Sequence, residues 1–276
     1  MKFTKMHGCG NDYVYVNLFE EKLEDPSEMA RRVSDRHFGI GSDGLITIGP
    51  SELADVRMRI YNADGSEAEM CGNGIRCVAK YAYEHGLADR AQMTVETGNG
   101  VKTLTLFIER NKVWQVRVDM GEPVLEPDRI PVFADTDRVI DEPIVAGDRA
   151  WRMTCVSMGN PHAVIFVDDT EHFPLEKYGP LFEHHERFPA RINTEFVQVI
   201  SRTEARMRVW ERGSAETLAC GTGTCAAVMA CILNRFTEDE VLVHLRGGDL
   251  TITYDRDTNH IFMTGPAVEV FTGEIG

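Results

Sequence analysis

Cys71-Gly72-Asn73-Gly74 and Cys220-Gly221-Thr222-Gly223 stand 149 positions apart, and the reading of this pair decides the fold. Each follows a β-rich run and a polar loop, and each opens a pattern that reads as an amphipathic helix. Ile75, Val78, Ala79 and Ala82 line one side of the first helix, and Ala227, Val228, Cys231 and Ile232 occupy the second. The same spacing of 149 links Gly10-Asn11 to Gly159-Asn160, Gly98 to Gly247, and Glu67 to Glu216. So many landmarks in one register mark a duplicated domain. Met120-Gly-Glu-Pro123 and Met263-Thr-Gly-Pro266 resemble each other and close the two copies. The expected halves are 1–119 and 120–263. Residues 264–276 are too short to fold alone and should add a strand to one of them.

Working outward, β-rich runs dominate at 12–18, 56–61, 101–108, 114–119, 162–167, 195–200, 205–210, 250–254 and 267–271. Helical patterns cover 27–37, the stretch from Cys71 to near Gly86, 174–184, and the stretch from Cys220 to about Asn234. Their mixed order points to an α+β fold. The chain has 276 residues, 43% hydrophobic and 26% charged, as expected of a core-forming protein. Its net charge of −15, with no basic cluster, argues against nucleic acid as a partner. The longest apolar stretch, 225–233, is too short to cross a bilayer, and 1–12 lacks the apolar run of a signal peptide. A soluble, cytoplasmic protein is expected. Seven cysteines, an odd number in a chain of this size, suggest free thiols rather than a disulfide framework.

The repeated cysteine carries the chemistry. A thiol just before a helix meets unpaired N–H groups and the positive end of the dipole, which favour a thiolate. The adjoining glycines let backbone approach a ligand, and the same N–H groups can hold a carboxylate. Two such sites, one from each half and facing across an interdomain cleft, suit inversion of a carbon centre, where a base removes a proton from one face and an acid returns one to the other. Cys77, Cys225 and Cys231 read as core, and Cys155 as a strand residue. Cys9, in a glycine-rich loop, reads as structural or as a bystander of the site. Zinc is disfavoured by the spacings Cys71-x5-Cys77 and Cys220-x4-Cys225, no Cys-x-x-Cys supports dithiol exchange, and no nucleotide-binding loop is present. Neither a nucleotide cofactor nor a metal is expected from these residues.

Five segments taken together resemble the diaminopimelate epimerase family: His7-Gly-Cys-Gly-Asn-Asp12, Asn62-Ala-Asp-Gly-Ser-Glu67, Cys71-Gly-Asn-Gly-Ile-Arg76, Ser157-Met-Gly-Asn-Pro-His162 and Glu211-Arg-Gly-Ser-Ala-Glu-Thr-Leu-Ala-Cys-Gly-Thr-Gly223. The resemblance implies a cofactor-independent cytoplasmic epimerase interconverting LL- and meso-diaminopimelate, typically a homodimer, with Phe271 in the last strand a candidate interface aromatic. It implies two pseudosymmetric domains, each a mixed sheet wrapped around a central helix, with 264–276 returning to the first. Cys71 and Cys220 would be the acid/base pair, with His162 and Glu211 as polar groups beside the reacting centre. Asn11, Asn62, Asn160, Asn193 and Arg212 would hold the substrate, and Gly72-Asn73 and Gly221-Thr222 its reacting carboxylate through backbone N–H groups. Read singly, each Asn is a common turn former, and Arg212 suits a surface ion pair. Two departures from the family pattern are Gly44, where many members carry Gln, and Cys9, where an apolar residue is common. Alternative readings are a racemase of histidine or proline, which should differ at the residues that hold the distal end, and a thiol redox or binding protein without turnover.

Overall fold

The computed structural model describes Met1 to Gly276 and divides into two compact units, Met1–Asp119 with Thr264–Gly276, and Met120–Met263. The first contains β1 (Lys2–Gly8), β2 (Asn11–Asn17), α1 (Pro26–Ser34), β3 (Gly44–Gly49), β4 (Val56–Asn62), β5 (Glu67–Ala68), α2 (Gly72–Glu84), β6 (Gln92–Thr97), β7 (Gly100–Glu109) and β8 (Lys112–Gly121). The second contains β9 (Glu142–Ala146), β10 (Arg149–Ser157), β11 (Pro161–Phe166), α3 (Leu175–Glu183), β12 (Asn193–Ser201), β13 (Glu204–Glu211), β14 (Ala215–Thr217), α4 (Gly221–Leu233), β15 (Glu240–Leu245), β16 (Gly248–Asp255) and β17 (His260–Gly265). The last strand, β18 (Val268–Glu274), pairs antiparallel with β1 and so belongs to the first unit.

The pairing scheme repeats. In the first unit β1–β2 is antiparallel, β2–β3 parallel, β3–β4 antiparallel, β4–β6 parallel and β6–β7 antiparallel. In the second, β10–β11, β11–β12, β12–β13, β13–β15 and β15–β16 follow the same alternation. The fold is α+β with a mixed sheet in each half. Register repeats as well: Tyr13 stands beside Gly44, and His162 beside Asn193. Glu67 and Glu216, two of the repeated landmarks, turn out to brace the β4–β5 and β13–β14 hairpins. Each binds an arginine of the neighbouring strand with both oxygens, Arg59 at 2.8 and 2.8 Å and Arg208 at 2.7 and 3.1 Å.

Two expectations need correction. The helices after the cysteines have no solvated side: every residue of α2 from Gly72 to Ala82 is buried, and so is α4 from Gly223 to Ile232. Their surroundings explain it, since α2 packs against β1, β2, β4, β6 and β7, and α4 against β10, β11, β12 and β16. Lys80 tolerates this position because its ammonium donates to the Val113 carbonyl at 2.8 Å and to Glu84 at 2.5 Å. The first helix is also shorter than 27–37. It begins where Asp25 accepts the Glu28 N–H at 3.0 Å and Pro26 presets the first turn. It stops at Ser34 because Asp35 Oδ1 takes the N–H groups of His37 at 2.7 Å and Phe38 at 2.8 Å, folding the chain into a turn.

Candidate active site

Both repeated cysteines sit in extended backbone and cap their helices. The Gly74 N–H points at the Cys71 sulfur at 3.3 Å, and the Gly223 N–H at that of Cys220 at 3.4 Å. In the first unit the Cys71 thiol donates to Asn11 Oδ1 at 3.2 Å, while Asn11 gives its own amide hydrogen to Asp43 at 2.8 Å. Asn73 is buried, and its side-chain oxygen accepts from Arg76 at 2.9 Å. Asn62 donates its side-chain amide to Ser66 at 3.0 Å, and its backbone carbonyl accepts from the Gly65 N–H at 2.8 Å. The backbone of Gly72 and Asn73 forms the start of α2 beside the thiol.

The second unit has a more polar arrangement. His162 and Glu195 are fully buried, with Nδ1 2.7 Å from Oε1, and His162 Nε2 lies 2.9 Å from Asn160 Oδ1. Asn193 bridges the Pro161 carbonyl at 2.8 Å and the Arg212 N–H at 2.9 Å, so both ends of its amide are engaged. The Arg212 side chain is exposed and donates to the Ala190 carbonyl at 2.9 Å. Glu211 accepts from the Thr217 hydroxyl. Gly221 opens α4, and the Thr222 hydroxyl lies 3.5 Å from the Cys220 sulfur.

The expected thiolate stabilisation is outweighed in both units. Burial pushes the Cys71 thiol up, against the pull of the Gly74 and Asn73 N–H groups, the Tyr13 hydroxyl and the Arg76 charge. Cys220 is pushed well above the ordinary thiol value, by burial first and then by the carboxylates of Glu211 and Glu195. Desolvation of a sulfur anion therefore exceeds what one helix terminus returns. Of the remaining thiols, Cys77 is pushed up to about 11 and Cys231 to about 12, both by burial, in keeping with a core role. Cys9 is buried at a positive φ of 52°, with its sulfur 3.7 Å from Arg76. Gly44 has no room for a side chain, since a Cβ there would stand 2.2 Å from the Tyr61 carbonyl oxygen.

Three residues of these surroundings were not singled out from sequence: Tyr13, Arg76 and Glu195. The repeat held the signal. The spacing of 149 that pairs Asn11 with Asn160 and Cys71 with Cys220 also pairs Tyr13 with His162, Ile46 with Glu195, Asn62 with Glu211 and Arg76 with Cys225. One backbone frame is thus furnished twice, with a buried cation and a phenol beside the first thiol and carboxylates with an imidazole beside the second.

Each unit of this chain is a mixed sheet with a cysteine capping its central helix. Solved structures share the fold along the whole chain. A PhzF-family phenazine biosynthesis protein from Bacillus anthracis matches with a TM-score of 0.73 at 17% identity, covering 100% of this chain and 98% of that one. A hydroxyproline epimerase from Agrobacterium vitis matches at 0.70 and 14%, covering 100% and 90%. The diaminopimelate epimerase family model matches residues 3–126 and 154–270, and the chain belongs to that family. Diaminopimelate epimerases from Agathobacter rectalis and Acetivibrio thermocellus are 74% and 58% identical to it, over 100% of this chain and 99% and 98% of theirs. The enzyme is an isomerase.

Proposed function

We propose that the protein interconverts LL- and meso-diaminopimelate without a cofactor, and that Cys71 and Cys220 are its acid/base pair. The observation that carries this reading is that each unit offers one thiol at the N-cap of its buried helix, with a backbone N–H on the sulfur. In one direction a thiolate takes the α-proton to form an S–H bond, and the electron pair of the broken C–H bond moves into the adjacent carboxylate. The other thiol then delivers its proton to the opposite face and is left as thiolate. The first-turn N–H groups at Gly72-Asn73 and Gly221-Thr222 bear the growing carboxylate charge, as donors fixed in advance do most effectively. His162 and Glu211 handle protons and hold the α-amino group, while Asn11, Asn62, Asn160 and Asn193 shape the pocket for the distal amino acid end.

The purified protein in heavy water with LL-diaminopimelate and no additive should change the isomer ratio and lose α-protium together. Activity on histidine or proline instead would assign a different racemase, and absence of both exchange and inversion would leave a protein without turnover. Arg212 supports recognition of the distal carboxylate, to which a guanidinium binds with two parallel hydrogen bonds. Arg212→Ala should raise KM by about 10-fold or more while the unfolding midpoint barely moves, because the side chain is exposed and donates only to Ala190. Titration of initial rates against substrate checks this, and an unchanged KM removes the clamp.

The reading extends to a cytoplasmic homodimer. No helix is long and apolar enough to cross a membrane. On β18, Val268, Val270 and Phe271 leave apolar side chains exposed, an arrangement suited to a partner copy. Phe271→Asp should yield a monomer by light scattering, and a dimer retained in that variant would place the interface elsewhere.

A further inference from the structure

The spot beneath the first turn of each central helix is filled differently in the two units. A Cβ built on Gly74 would stand 2.6 Å from the Ile46 Cδ1 methyl, and one built on Gly223 would stand 2.5 Å from Glu195 Oε1 and 3.2 Å from the Cys220 sulfur. Ile46 and Glu195 are equivalent in the repeat, so the same backbone frame accepts an apolar side chain at this point. Glu195 is fully buried, one oxygen faces His162 Nδ1 at 2.7 Å, and the other has no hydrogen-bond partner. A carboxylate kept for structure alone would have both oxygens satisfied. An isoleucine would fill the place without leaving an oxygen unserved, as Ile46 does.

We infer that Glu195 is a positioning residue: by accepting the Nδ1 hydrogen of His162 it fixes the tautomer and plane of that ring, and it sets the negative field in which the Cys220 proton is held. The inference rests on the two-thiol reading above. Both ring nitrogens face acceptors, so with Nδ1–H committed to Glu195 it is the Nε2 hydrogen that lies along Asn160 Oδ1 and is the one placed for transfer. The groups that face the carboxylate are His162 on β11, Glu211 on β13, Cys155 on β10 and Cys220 at the head of α4. Burial pushes the Glu195 carboxyl up, His162 pulls it down, and Glu211 adds to the rise. Gly223 is glycine for the same reason, since any side chain there would displace the carboxylate or the thiol.

Glu195→Ile, which installs the residue of the equivalent position, separates positioning from packing. The variant should unfold no more easily than the parent, yet kcat should fall about 100-fold with KM within about threefold. Glu195→Gln keeps an acceptor for Nδ1–H without the charge, and should fall between. In the unmodified protein labelled with nitrogen-15 histidine, the His162 Nδ1 should carry hydrogen throughout the active pH range, and in Glu195→Ile that signature should be lost. A bare Nδ1 in the parent overturns the inference even if the isoleucine variant fails to fold, and so does a variant that folds and keeps kcat within threefold. Cys220→Ala keeps the two failures apart: if it remains active the two-thiol reading falls, whereas if it is inactive while Glu195→Ile is fully active, only the role of Glu195 falls.

Discussion

Cys71→Ala and Cys220→Ala proteins are each expected to fold and to lose epimerisation by about 1000-fold or more, since each removes one of two proton-transfer groups. Folding should survive because the cost is mainly a helix cap, about 1 kcal/mol against a stability of about 5–15 kcal/mol. Isomer ratio over time, with the unfolding midpoint measured on the same sample, checks both halves of the statement. Ordinary activity in either variant refutes the two-base mechanism. The pH dependence has a definite sign. Reaction needs one sulfur as thiolate, and burial raises both thiols, so the acid limb of kcat/KM should lie above the titration of an unperturbed cysteine. At Cys220 the Glu211 and Glu195 carboxylates add to the rise that burial causes, whereas at Cys71 the Arg76 charge works against it.

That asymmetry explains what was legible in the sequence and what was not. A repeat reports backbone, so the two central helices and their capping cysteines could be read from identical Cys-Gly-x-Gly segments. Function in a duplicated frame depends on what the copies no longer share. Tyr13 against His162 and Ile46 against Glu195 are mismatches, which a search for likeness passes over. The burial of α2 on all sides was hidden for a different reason: Arg76 and Lys80 look like a solvated face until the carbonyls that accept from them are brought in by distant strands and loops. Strands such as β1, β3, β6 and β15 were missed because their partners, rather than their own residue pattern, identify them. Register between strands many residues apart is a tertiary property, and local alternation carries little of it.

Arg76→Ala should be the most damaging change to the first unit, costing about 3–5 kcal/mol, through both the cavity and the acceptors it strands. The side chain is fully buried and donates to the Pro266 carbonyl at 3.1 Å, to Gly72 at 3.1 Å and to Asn73 at 2.9 Å. It thereby ties the returning segment before β18 to the first turn of α2. The fit is tight, since a Cβ on Gly8 would stand 2.9 Å from its guanidinium. Loss of this tie should lower the denaturant midpoint and speed amide exchange in both α2 and β18, whereas loss of packing alone would affect α2 without β18. A second effect follows from charge. Arg76 is one of the groups holding the Cys71 thiol down against burial, so the variant's acid limb should move to higher pH. Arg76→Lys, which keeps a cation but not the fork of donors, should recover part of the pH shift and little of the stability. If the lysine variant instead restores the midpoint and leaves the acid limb displaced, the division of labour assigned to this side chain is wrong.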